Sequence, residues 1–570
     1  MDLRLKSLFL AFLLLFFYIP GAYSQVPPKT RAGAVERNLE VPEAEAEKRK
    51  PEDIVIEEEQ QKLEMPKGEK VKVLGFEFEG NKVLDDELLN DLVSGYINKE
   101  LSLTELEQIC ELIAQEYHKQ GYFLAKAILP AQEINKGIVK IIILEGTLGV
   151  IRIKPDEYYR EDFIIAHFHP TKNGIIHHPS LIKSLLLLNE NLDLVVKATL
   201  KKGEKLGTTD IIIKAEDNFP FDLSWDYNNF GSEYNAEHRM GTSAEVGNIL
   251  MQGSKLSFRG VGGIDGEDLW FTKAGYQFPI ANYGTKGSLS YLWSDFDVGK
   301  EYENLDAGGE SKIISAEINH PIIRSRVTSL DCLVGFDYKD IENYLMGDLD
   351  SDDELSIFKA GLNFNHLDSY KGRNLLNSLL SVGVDDLWGA MGSDEPVLAS
   401  RVGSGGEFVK FNLDFTRIQK IPWSSFLIFK FSGQTTPDIL PVSEQFSIGG
   451  GSSVRGYPIS EYLGDQGYFG SLELRTPIPF ISEMNVPFTN QRKFKEFIQL
   501  TAFLDHGKTF LRNPQAGEAD DNTITGAGPG LRLTVCGFNA SLDWGFSVAG
   551  DEPSTAEDCI FYVRVEKKLF

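Results

Sequence analysis

The sequence predicts a closed antiparallel β-barrel of about 16 strands that spans a membrane, preceded by two small α+β modules. Three observations predict it. From Pro220 onward apolar and polar residues alternate, with almost no helical period. The stretch 218–570, at roughly 22 residues per strand and loop, holds about 16 strands. Near the N-terminus, Arg4 and Lys6 precede an unbroken apolar run Leu8–Ile19, followed by Pro20-Gly21 and the small residues Ala22 and Ser24.

That leader reads as a secretory signal over 1–24, cleaved near Ser24-Gln25, because the run is short for a membrane span. No later segment reaches 18 consecutive apolar residues. A membrane crossing must then be made by strands, since only helices and closed barrels satisfy every backbone group in lipid.

A chain of 570 residues exceeds one ordinary core, so two to four domains are expected. Phe (37) and Tyr (20) beside 53 Gly suit many strands joined by turns. The net charge of -27 argues against a phosphate-binding surface and so against nucleic acid as a partner. Cys110, Cys332, Cys536 and Cys559 lie far apart without metal-ligand spacing, and a Cys536–Cys559 bridge stays open.

Residues 25–69 are charged and proline-spotted, and read as a polar linker with one or two short helices. The first module follows over 70–147. Val71–Phe78 alternates like a strand, and Asp85–Tyr96 is a first helix carrying Leu88, Leu89, Leu92 and Val93. A second helix opens at Ser102-Leu103-Thr104-Glu105, the spacing of a capping box, and runs to Gly121. Phe123–Leu129 and Gly137–Leu144 close the unit as strands. A second module of the same order occupies 148–217: strand Val150–Ile153, helices at Glu161–His167 and Pro179–Leu188, then strands Leu194–Leu200 and Thr208–Ala215. Such units present a sheet edge, to which an extended peptide can add as a strand. The barrel proper is 218–570. Its alternation is cleanest in Phe538, Ala540, Leu542, Trp544 and Phe546 against Asn539, Ser541, Asp543, Gly545 and Ser547.

Enzyme motifs are missing. No stretch fits a phosphate loop, G-x-S-x-G or H-E-x-x-H. Asp348–Asp353 begins like a calcium loop but has Asp353 where the turn glycine belongs, so it reads as an acidic extracellular loop. His177-His178 reads as a solvated pair in a turn. No enzymatic activity, cofactor or metal is expected.

Several motifs are distinctive. Gln120–Ala127 with Ile128-Leu129-Pro130-Ala131-Gln132 lies in the first module; Leu186-Leu187-Leu188-Asn189-Glu190, Leu200–Glu204 and Gly207-Thr208-Thr209-Asp210 lie in the second. In the barrel region stands Gly449-Gly450-Gly451-Ser452-Ser453-Val454-Arg455-Gly456-Tyr457. With these residues the chain resembles, from about residue 70 to Phe570, the two-partner secretion transporters, the hemolysin activation/secretion (TpsB) family of the outer-membrane assembly-factor superfamily. The resemblance implies that the modules are POTRA domains in the periplasm. It also implies that Val454, Arg455, Gly456 and Tyr457 tip a long loop folded back into the pore. The implied function is passage of a secreted polypeptide, a large β-helical protein, across the outer membrane. A barrel-insertion factor of the same superfamily is the alternative, and a passive porin or adhesin a further one.

An arginine inside a barrel needs an anionic partner, and its fork suits a carboxylate. In Ile498–Gly507 the apolar set Ile498, Leu500, Ala502 and Leu504 faces lipid, which turns Asp505 inward; in Gly470–Arg475 the same argument turns Glu473 inward. Arg455 on Asp505 is the expected primary contact and Glu473 the secondary one, with Phe503 and Gly507 on the same wall. The resemblance further implies a plug helix, for which only Arg31–Arg49 serves, interrupted at Pro42, and contact of Phe570 with the barrel-assembly machinery. Outer-membrane lipid is the remaining expected partner.

Overall fold

The computed structural model describes residues 31, 32, 34, 54–56 and 70–569, apart from 135, 265–268, 393–397, 487–491, 516, 536 and 556–558. The leader 1–24, most of the linker and of the expected plug helix, Cys536 and Phe570 lie outside the described residues. Cys559 is a free thiol.

In the first module, helix α1 (Asp86–Val93) starts at Asp85, whose carboxylate accepts from Leu88 N at 2.9 Å. A 3-10 turn, Ser94–Tyr96, follows it. Helix α2 (Leu103–Lys119) carries the full Ser102–Glu105 capping box. It buries Leu106, Ile109, Cys110, Ile113 and Tyr117 against strands Gly75–Glu79, Ile138–Leu144 and Lys126–Ile128. The last strand is shorter than the alternation suggested, because Tyr122 N bonds to Tyr117 O and Ala125 N to Tyr122 O, holding this stretch as a turn. A buried carboxylate ties the module together: Glu145 accepts from Lys82 N (2.6 Å), Val83 N (2.8 Å) and the Tyr117 hydroxyl (2.9 Å).

The second module has strand Thr147–Lys154, helix α3 (Glu161–His167), helix α4 (His178–Asn189) and strands Leu194–Lys202 and Thr208–Asp217. A short hairpin, Thr171–Lys172 with Ile175–Ile176, escaped the sequence reading. Asn189 pins α4 to its sheet, donating to Val196 O at 3.2 Å and accepting from Val196 N at 2.5 Å. His177 and His178 are not a solvated turn. They open α4 at the seam with the first module, where Tyr122 lies 5.1 Å from the His177 ring and Phe123 5.3 Å from that of His178. The linker also departs from expectation: Ile54–Ile56 is a strand, pairing in parallel with Ala198–Leu200 on the module's sheet edge. Glu190, at the end of α4, reaches Arg324 Nε at 2.7 Å at the periplasmic end of the barrel.

Sixteen antiparallel strands among the described residues close the barrel. They are β1 (Phe221–Asn228), β2 (Arg239–Gly247), β3 (Lys255–Gly263), β4 (Leu269–Pro279), β5 (Lys286–Asp297), β6 (Gly308–Arg324), β7 (Thr328–Leu345) and β8 (Asp348–Leu367), then β9 (Gly372–Gly383), β10 (Phe408–Ile421), β11 (Ser425–Thr435), β12 (Gln466–Pro477), β13 (Ile498–Phe510), β14 (Asp521–Val535), β15 (Phe538–Gly550) and β16 (Cys559–Lys568). Closure is by β1 on β16, from Ser224↔Lys568 to Asn228↔Arg564. The pleat sends Leu472, Leu474, Leu500, Leu504, Trp544 and Phe546 outward, while Glu473, Thr501, Asp505 and Asp543 are buried inward. Exposed aromatics stand at the strand ends, among them Trp423, Tyr370 and Phe480 at one rim and Trp270 and Trp388 at the other. Among the described residues no helix is long and apolar enough to cross a membrane.

Asp348–Asp353 is not a loop. Pairing of β7 with β8 continues to Leu345↔Asp348, so these residues begin β8 and the turn is Met346-Gly347. Asp353 turns inward and is buried. No group of metal-ligating side chains occurs among the described residues.

Candidate functional site

The connection between β11 and β12 is long, and returns into the barrel. Phe446–Ile448 and Tyr462–Gly464 pair antiparallel as its stalk, and residues 449–461 form its tip. Gly456 sits at φ +98, a left-handed conformation, and a Cβ there would meet the Phe546 carbonyl carbon at 2.6 Å. The tip therefore presses directly on the β15 backbone. Val454 and Tyr457 anchor it, packing with Ile448, Phe469 and Ile524 as a small apolar core. Tyr457 is held further by its carbonyl, which accepts from the Tyr562 hydroxyl at 2.7 Å, and by its own hydroxyl, which donates to Ala549 O at 3.2 Å.

Between these anchors Arg455 points at the wall and is 6% exposed. Its Nε donates to Asp505 Oδ2 at 2.7 Å and its Nη2 to Asp505 Oδ1 at 3.0 Å, a bidentate pair. The backbone N of Arg455 also reaches Asp505 Oδ2, at 3.2 Å. Nη1 donates to Glu473 Oε2 at 2.8 Å and to Asp543 Oδ2 at 3.4 Å. The guanidinium carbon stands 3.5 Å over the Phe503 ring. Gly507 leaves room for Val454: a Cβ on it would meet Val454 Cγ2 at 3.0 Å. All eight residues singled out in the sequence thus meet at one place.

The sequence reading passed over Asp543, Ser471, Arg532, Arg475 and Tyr562. Ser471 donates to Asp505 Oδ1 at 2.6 Å. Arg532 grips Asp543 through Nη1 at 2.8 Å and Nη2 at 3.0 Å, and Glu473 through Nη2 at 3.1 Å. Arg475 Nε donates to Glu473 Oε1 at 2.6 Å. Inward parity was the available signal, and it marks Asp543 in the alternation of β15. Three arginines face three carboxylates, so these six charges balance, and they come from the loop and from four neighbouring strands, β12 to β15. Removing one member strands its partners, at about 3–5 kcal/mol for a buried pair. Such an arrangement holds a loop against a wall at one register.

The family model described as haemolysin secretion/activation protein ShlB/FhaC/HecB matches residues 207–533. The chain belongs to this family. A POTRA domain of the ShlB type matches residues 71–146. The heme/hemopexin transporter protein HuxB of Haemophilus influenzae is 24% identical over 485 residues, covering 80% of each chain. The outer membrane transporter CdiB of Escherichia coli is 22% identical over 487 residues, 83% of this chain and 78% of the relative. A solved structure of CdiB from Escherichia coli superposes with a TM-score of 0.73 at 20% identity, covering 95% of both chains, and shows the same fold. The protein is therefore an outer-membrane β-barrel transporter of secreted proteins, of the two-partner secretion class, with POTRA architecture in the periplasm. Members of the family are transporters.

Proposed function

We propose that this transporter takes up its cargo as an extended polypeptide on the POTRA modules, 70–147 and 148–217, and passes it through the barrel past a loop held by Arg455. The cargo on this reading is a secreted protein of the large β-helical kind, and the apolar band of the barrel meets outer-membrane lipid. Phe570 is offered to the assembly machinery. The observation that carries the gating part is the seating of Arg455: a buried guanidinium on Asp505, Glu473 and Asp543 gives the loop one defined resting place inside the lumen. HuxB, a heme/hemopexin transporter protein, and CdiB, an outer membrane transporter, support a transport role. No nucleotide motif occurs in the sequence, so energy would come from cargo folding outside the cell.

Planar-bilayer conductance of the purified protein, with and without residues 449–461, tests this reading. A small, flickering conductance that rises on deletion is expected. A large, steady conductance unchanged by the deletion would make the barrel an open porin and defeat it.

A further inference from the structure

The chain enters β1 from the periplasmic modules, so connections after odd-numbered strands lie at the outer mouth. Three of these, 384–407, 436–465 and 511–520, meet at one carboxylate, Asp465, which ends the same connection that carries Arg455 at its tip. Asp465 is fully buried. Its Oδ1 and Oδ2 accept from Arg401 Nη1 at 2.5 and 2.6 Å. Oδ1 also accepts from Leu440 N at 2.8 Å, and Oδ2 from Arg512 N at 2.6 Å. Arg401 Nη2 completes the ring on Arg512 O at 2.7 Å. One acidic side chain thus holds a cation from the first connection, a backbone N–H of its own connection, and a backbone N–H of the third.

The junction continues through Ser400. Its N and Oγ donate to Asp353 on β8, at 2.9 and 2.5 Å, and its Oγ accepts from Val442 N at 2.9 Å. Glu444, also buried, is clamped by Lys339 on β7 at 2.9 Å and Lys410 on β10 at 2.5 Å. Leu440 packs with Leu355, Ile357 and Phe408 in a small core beneath. The Ser400 carbonyl accepts from Arg31, a residue near the N-terminus whose neighbour Ala32 donates its backbone N–H to Asn343 Oδ1 at 2.9 Å. The loops at the mouth are therefore folded together and fastened to the wall at β7, β8 and β10, and Arg31 touches the residue next to Arg401.

We propose that Asp465 and Arg401 form an outer latch, a second positioning element that keeps the extracellular mouth closed separately from the Arg455 contact. The latch ties three successive outer connections, those over β9 to β14, into one fold across that arc of the mouth, and a polypeptide leaving past this arc has to part it. Arg31 adds one more contact beside the latch, on the Ser400 carbonyl. The inference rests on the translocation reading above.

Single-channel recording of the full-length protein in planar bilayers tests it, using Asp465→Asn, Arg401→Ala, Arg401→Lys and Arg455→Ala, with heat-modifiable migration as the check on barrel integrity. Asp465→Asn and Arg401→Ala are expected to raise the fraction of time spent conducting severalfold, with Arg401→Lys in between; if Asp465→Asn does not assemble, the two Arg401 variants carry the test. Asp465→Asn or Arg401→Ala channels as closed as the wild type would overturn the latch. Should Arg455→Ala alone open the channel, the latch falls while the pore-loop reading stands; should the Arg401 variants alone open it, the latch stands and the role given to Arg455 falls.

Discussion

Phe503 lies face-on beneath Arg455, with the guanidinium carbon 3.5 Å from the ring centroid, while the edge of the same fork is paired to Asp505. The plane of the cation is thus fixed twice, by a ring below it and by a carboxylate beside it. An ammonium can satisfy neither geometry in full, since it is a point charge without a fork. Arg455→Lys is therefore expected to behave like a loss of function. Secreted cargo in the medium should fall nearly as far as with Arg455→Ala, while heat-modifiable barrel in the membrane stays near the wild-type amount. Phe503→Leu should give a milder loss, of about 2 kcal/mol or less in loop seating, the size of a desolvated cation–π contact. Equal loss of barrel and secretion in either variant would contradict this.

Charge balance at the same site predicts strong non-additivity. Asp505→Ala leaves Arg455 short of its bidentate partner and Ser471 without an acceptor, at about 3–5 kcal/mol. Adding Arg455→Ala removes the stranded cation, so the double variant should be more resistant to thermal unfolding than Asp505→Ala alone. A melting comparison in detergent checks the ordering.

Much of this site was legible because strand parity is a rigid rule. Once Leu500 and Leu504 face lipid, Asp505 has to face the lumen, and the same reasoning found Glu473. Asp543 obeyed the rule equally and sat in the cleanest alternating stretch, but β15 carried no motif to draw attention to it. Arg475 was readable by the same parity, two residues from Glu473 on β12, and was passed over; Arg532 was harder, since its partners are fixed by β14 against β15 and by the wall around it, which sequence does not reveal. The modules show the same division. The Ser102–Glu105 capping box was readable because its contacts span three residues. The Ile54–Ile56 strand was not, because its partner lies more than a hundred residues away and its neighbours are polar.

The first POTRA module depends on Glu145. This residue satisfies two backbone N–H groups at a tight turn and the Tyr117 hydroxyl, whose acidity is lowered first by burial and then by donation to the carboxylate. Glu145→Ala orphans all three donors and should cost about 1–3 kcal/mol of local stability. Limited proteolysis of the full-length protein should then cleave first within 70–147, leaving the barrel fragment intact.

The seam between the modules should be pH-dependent. Burial is the main cause holding the His177 imidazole below its ordinary value near 6.5; the Gln120 backbone hydrogen bond pulls the other way, and Lys172 and His178 add to the depression. Undocked, His177 takes up a proton more readily than docked. The contact is accordingly complete above that ordinary value and is lost as pH falls below it. A fluorophore pair, one on each module, should report separation on acidification from neutral pH, and His177→Phe should weaken the pH dependence while keeping the packing on Tyr122, the remainder belonging to His178, which burial also depresses.

The loop tip rests on a shelf of glycines, and that shelf predicts which small changes unseat it. A Cβ on Gly526 would fall 1.7 Å from the Arg455 carbonyl oxygen, and one on Gly545 would fall 2.3 Å from Gly456 N. In both cases the obstruction is backbone, which cannot rotate away as a side chain can. Gly526→Ala must therefore lift Arg455 from the wall, although it removes none of its partners. At Gly507 the obstruction is Val454 Cγ2 at 3.0 Å, the end of a side chain, and a slight shift relieves it. Conductance and secretion should accordingly change in Gly526→Ala as they do in Arg455→Ala, and Gly507→Ala should stay close to the wild type. If Gly526→Ala instead keeps wild-type conductance while Arg455→Ala does not, the tip is seated less closely on β14 than these distances require.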